Sequence, residues 1–192
     1  MNQINKVKTM TIAALLCAVG ILIPMYFPKI QIGPASFTLA SHVPIFIAMF
    51  ISPVVAISVA IVTGFGFLLA GFPLIIVLRA FSHLIFVAFG SYLLKKNGNI
   101  MNNFKTAALY SFGISIIHAL AEVFVVSYFY FGGNVSAAIL ENGYAVSVLL
   151  LVGVGGLIHS MLDLSIATFV WKPIQQVINI PSSVRIRTKF TK

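Results

Sequence analysis

The run FPLIIVLRAFSHLIFVAFGSYLLKK, residues 72–96, leaves this chain few ways to fold. About twenty apolar residues follow Pro73 and stop at Lys95 and Lys96. A helix rising about 1.5 Å per residue needs that length to cross a hydrocarbon core of about 30 Å. A soluble domain carries about 25% charged residues, whereas here 8% of 192 residues are charged and 60% are hydrophobic. The chain therefore reads as an integral membrane protein. The single cysteine, Cys17, excludes an internal disulfide and a cysteine-based metal site. It lies in the first apolar stretch, which is too long, and too directly followed by further spans, to read as a cleaved signal peptide.

Hydropathy predicts six spans, at about 9–27, 38–51, 54–70, 73–94, 106–131 and 146–171, forming one membrane domain over residues 1–192. Ser52-Pro53 and Gly71-Phe72-Pro73 read as tight turns, because proline biases the residue before it away from helix. The segment 28–37, PKIQIGPASF, reads as a loop, as does the Gly/Asn-bearing segment 132–145. The segment 95–105 is the strongly polar internal loop, and the tail from Lys172 is basic and polar.

Orientation follows from where the basic residues fall. With a cytoplasmic N-terminus, the inner segments hold Lys6, Lys8, Lys95, Lys96, Lys105, Lys172, Arg185, Arg187, Lys189 and Lys192, and the outer ones only Lys29. Positively charged loops face the cytoplasm. The expected fold class is all-α: a bundle of six transmembrane helices with both termini cytoplasmic. The net charge of +9 is then a topological device facing the bilayer surface, and no nucleic-acid partner is expected.

Three consecutive spans each carry two polar residues four apart, and so on one helix face. They are Arg79/His83, His118/Glu122 and His159/Asp163, with His42 near the start of the second span. Counted from the predicted span ends, they lie between the outer third and just past the midplane. An arginine at such depth costs at least roughly 2.5 kcal/mol on insertion scales, so it needs a partner or a wet cavity. The pairs are expected to converge on one polar core.

Several functions could use that core. An interhelical network that only pins the packing needs the same residue types, and so does a proton relay in a stand-alone transporter. Against the relay, six spans show no inverted repeat and no broken helices in matching halves. Three histidines and two carboxylates could hold a metal, but HExxH or another close-spaced ligand motif is absent, and no metal is expected. An enzyme is not expected either: Ser82 and His83 point to different faces, and GxSxG is missing. A ligand pocket opening outward fits best. Arg79 would hold a carboxylate bidentately, a histidine would meet a ring nitrogen, and Tyr144 with nearby phenylalanines would supply aromatic faces. Asn142 completes the set of candidate ligand-facing residues. Nicotinate meets this description and pantothenate part of it. Glu122 is an awkward neighbour for a carboxylate, and its pairing with Arg79 is one resolution.

The first span carries AxxxA at Ala14 and Ala18, a small-residue stripe that lets another helix approach closely. That element, the six spans in under 200 residues, the Pro/Gly first outer loop and the run SFTLASHVPIFIAMFISP (36–53) resemble the substrate-binding S components of energy-coupling factor vitamin transporters, most closely those assigned to niacin. The resemblance implies a multi-pass protein of the cell membrane that takes up a small vitamin. It implies that Ala14 and Ala18 meet a transmembrane coupling subunit, and that two ATPase subunits consume ATP. No cofactor is then expected in this chain, which has no Walker motif. The alternatives are a stand-alone proton-coupled transporter of a small anion and an S component for another vitamin.

Overall fold

A computed structural model describes residues 3–32 and 35–187. The helices in chain order are α1 (Gln3–Tyr26), α2 (Val43–Ile51), α3 (Pro53–Leu69), α4 (Leu74–Lys96), α5 (Phe104–Phe131), the short α6 (Ala137–Glu141), and α7 (Gly155–Val177). The stretch Ala145–Val154 leads into α7 with the wider π winding. Strands β1 (Lys29–Ile32) and β2 (Ala35–Thr38) form an antiparallel hairpin between α1 and α2.

Four helical stretches are long and apolar enough to cross a membrane: α1, α4, α5 and residues Ala145–Val177. Among the described residues, the shorter α2 and α3 lie where the second and third spans are expected. The termini of the expected topology fall at residues the structure does not describe, as do Lys189 and Lys192.

Three expectations need correction. The segment 28–37 is no open loop: Lys29 pairs with Thr38 and Ile30 with Phe37. The second span does not begin at Thr38, which closes β2. Its helix starts at Val43 and has nine residues, about 14 Å, too few to cross a bilayer unaided. All nine are buried, so α2 stands inside the bundle, ringed by protein. The tail is not merely polar, since Ile180, Val184 and Ile186 are buried against the core.

Local chemistry explains the joints. Ser52 adopts an extended conformation ahead of Pro53, and its hydroxyl accepts from the Val55 amide, so one residue ends α2 and caps α3. The α1–α3 and α3–α4 seams close because Gly66 lies under Ile21 and Gly64 under Phe81, where any side chain would collide. Helix α1 buries only Cys17, Gly20 and Ile23, one narrow stripe, and leaves its other faces open to lipid. Ala14 and Ala18 lie on that open side.

Candidate functional site

The polar core forms where α2, α4, α5 and α7 meet beneath the hairpin. Asp163, fully buried on α7, sets its geometry. One carboxylate oxygen accepts from the Ala40 amide at 2.9 Å, and the other accepts from the His42 amide at 2.9 Å and from His42 Nδ1 at 3.0 Å. Helix α2 has no side-chain cap of its own. A carboxylate more than a hundred residues away does that work, where the helix dipole favours negative charge. The same bonds hold Ala40 at φ +67°, a left-handed conformation costly for a residue with a Cβ. Ser41 and His42 are thereby turned toward the cavity, and the Ser41 hydroxyl lies 3.1 Å from His159 Nε2.

Helices α4 and α5 supply the charged half. Arg79 grips Glu122 with two bonds, Nε to Oε1 at 3.2 Å and NH2 to Oε2 at 3.0 Å. His83 Nε2 lies 3.4 Å from the same Oε1 and His118 Nε2 3.5 Å from it. Glu122 also rests against Gly156, where an added Cβ would stand 3.4 Å from Oε2. At the next position Gly155 receives the ring of Phe37 from the hairpin, and that ring packs 5.5 Å from His159. Two adjacent glycines at the start of α7 thus admit the carboxylate and the hairpin aromatic.

The four histidines form a cluster around His42. Its ring centroid is 4.9 Å from His83, 4.7 Å from His118 and 5.1 Å from His159, all edge-on. His118 is 1% exposed; its Nδ1 has no hydrogen-bond partner, and its Nε2 has only the 3.5 Å contact with Glu122. Potential ligand atoms of His42, His83, His118 and Glu122 all lie within 4.8 Å of one another, as do those of His42, His159 and Asp163. In the second group Asp163 is already committed to the Ala40 and His42 amides.

A cavity of about 930 Å³, counting its open mouth, lies between this cluster and the hairpin. Arg79, His83, Glu122, His42 and His159 line it, while His118 and Asp163 stand behind them. All seven polar residues named on the spans are therefore together. Asn142 and Tyr144 are not among them: Asn142 is exposed, and the Tyr144 hydroxyl bonds Ser127 at 2.8 Å beside Phe131. Sequence reasoning missed Ser41, Phe37, Thr63 and Phe72, which also line the cavity. Only Ser41, next to His42, carried a local signal.

The niacin transporter NiaX of Lactococcus lactis subsp. cremoris (strain MG1363) is 44% identical to this chain over 163 residues, which make up 84% of this chain and 72% of that protein. No protein-family model matches the sequence, and no solved structure matches it significantly.

Proposed function

This chain belongs to the niacin-type S components, multi-pass proteins of the cell membrane, and on that premise we propose that it captures nicotinate in the cavity beneath the hairpin and passes it inward. The observation that carries the substrate is Arg79 in the cavity wall beside three imidazoles. A planar guanidinium suits a carboxylate bidentately and stays protonated in any surroundings. Glu122 already engages it, so the nicotinate carboxylate displaces Glu122 toward His83 and His118, which lie 3.4 and 3.5 Å away. The pyridine nitrogen accepts from an imidazole N–H or from Ser41, and Phe37 and Phe72 supply apolar faces for the ring. Pantothenate, which lacks an aromatic ring, uses less of this lining.

The chain acts as the substrate-specific subunit of an energy-coupling factor importer. Its open α1 face, with Ala14 and Ala18 exposed, supports docking to a transmembrane coupling subunit, and two ATPase subunits consume the ATP. The basic end, with Lys95, Lys96, Lys105, Lys172, Arg185 and Arg187, then faces the cytoplasm and the hairpin faces outward. The buried histidine–carboxylate network would also suit proton-coupled transport by this chain alone.

Calorimetry and vesicle uptake test these two levels separately. The purified chain should bind nicotinate well ahead of nicotinamide, since only the acid offers Arg79 a carboxylate. Equal affinity would remove the substrate assignment. Uptake should require the coupling and ATPase subunits, and proton-driven uptake by the chain alone would replace the importer reading.

A further inference from the structure

We propose that His42, His83, His118 and Glu122 form a binding site for one divalent transition-metal ion of the zinc class. Three imidazoles and one carboxylate are a donor set that suits such an ion, and their candidate ligand atoms lie within 4.8 Å of one another. Around zinc, with bonds of about 2.0–2.1 Å, tetrahedral ligands stand about 3.3 Å apart, so closing the site takes roughly 1 Å of side-chain movement. The absence of a close-spaced sequence motif is no obstacle. His42 comes from the start of α2, His83 from α4, and His118 with Glu122 from one face of α5.

Two further observations point to a ligand rather than to a finished hydrogen-bond network. His118 is 1% exposed, its Nδ1 has no hydrogen-bond partner and its Nε2 has only the 3.5 Å contact with Glu122, and its ring lies 4.8 Å from that of His83. Buried polar groups are almost always satisfied, and a cation would use a lone pair that nothing else in the site takes. The outer partners are also those of a metal site. Asp163 holds His42 Nδ1 at 3.0 Å, which fixes the ring and leaves the Nε2 lone pair for the metal. Arg79 holds both Glu122 oxygens, Nε on Oε1 at 3.2 Å and NH2 on Oε2 at 3.0 Å, and so orients the carboxylate whose Oε1 the two other histidines approach.

This inference does not rest on the niacin assignment. Full-length protein, stripped with chelator in mild detergent, is titrated with cobalt(II) and then with zinc. One equivalent of cobalt should give the intense visible bands of four-coordinate cobalt with nitrogen-rich ligation, and zinc should abolish them. His118→Ala should remove the bands, and Asp163→Asn should weaken the affinity about 10- to 100-fold through His42. If His118→Ala does not fold, X-ray absorption of the zinc-loaded wild type decides instead, with three imidazole ligands expected. Absence of stoichiometric binding, or binding unchanged by His118→Ala, overturns the proposal. A metal-free chain that binds nicotinate but never takes up cobalt removes the metal site and leaves the substrate reading standing.

Discussion

The two ends of the bundle solve one problem in opposite ways. Both must satisfy polar groups where water is scarce. At the end opposite the hairpin, the tail crosses the bundle as an extended strap. The Ser183 and Val184 amides donate to the Ile51 and Phe50 carbonyls at 2.9 and 3.0 Å, which completes the C-terminus of α2. Gln175 pairs with both backbone groups of Ile186, at 2.7 and 2.9 Å, and Asn102 accepts from the Arg187 amide while donating to the Arg185 carbonyl. Trp171 donates to the Val184 carbonyl at 3.2 Å and packs on Phe50. At that end the strap's side-chain hydrogen bonds go to backbone groups. At the hairpin end Asp163 serves two backbone amides and a histidine, Arg79 and two histidines crowd onto Glu122, and the buried His118 Nδ1 has no partner.

The short helix α2 joins the two ends, since remote segments cap it at both termini. The largest effect should come from removing its outer cap. Asp163→Ala strands three donors, each costing about 1–3 kcal/mol when left unsatisfied. We expect a loss of several kcal/mol of stability, read by thermal denaturation in detergent. Normal melting would show that the Ala40–His42 turn holds itself.

Trp171→Ala opens a cavity at the strap end and should cost about 3–5 kcal/mol. Any protein that folds should bind nicotinate as wild type does, because the strap lies at the far end of α2. A matching drop in affinity would show that the two ends are coupled.

Arg79→Ala removes one partner of a desolvated pair, a change worth about 2–5 kcal/mol. Nicotinate binding should weaken roughly thirty-fold or more, and the preference for acid over amide should vanish in calorimetry. Arg79→Lys should also weaken binding, because an ammonium cannot reproduce the planar fork. A folded Arg79→Ala protein with wild-type discrimination would make Arg79 a packing residue.

Gln175→Ala should cost only about 1 kcal/mol, since one side chain's pair of hydrogen bonds to Ile186 is lost at a partly wet edge. Ala14→Leu or Ala18→Leu should change neither stability nor affinity measurably, yet should block uptake by the assembled importer through steric bulk on the open α1 face. Wild-type uptake would take the docking role from α1.

Apolar length is a local property, so the sequence alone located the apolar helical stretches, with ends off by up to about six residues where polar turns continue a helix beyond the apolar run. The facing of Arg79 with His83, of His118 with Glu122 and of His159 with Asp163 follows from helix periodicity and was equally legible. Tertiary structure decided the rest, because it depends on partners distant in the chain. Nothing near Asp163 announces that it caps a helix 121 residues earlier. Nothing in the apolar run 43–51 tells a lipid-facing span from a nine-residue helix buried on every side, since both solvents favour the same side chains. The strands Lys29–Ile32 and Ala35–Thr38 have four residues each, too few for alternation to identify them, and only pairing across the turn makes them a hairpin. Asn142 and Tyr144 lie near the site in sequence but do not line the cavity, while Gly156 and His159 of α7 do. Packing in three dimensions selected which polar groups would meet, because each of them reaches partners on another helix or in the turn that follows the hairpin.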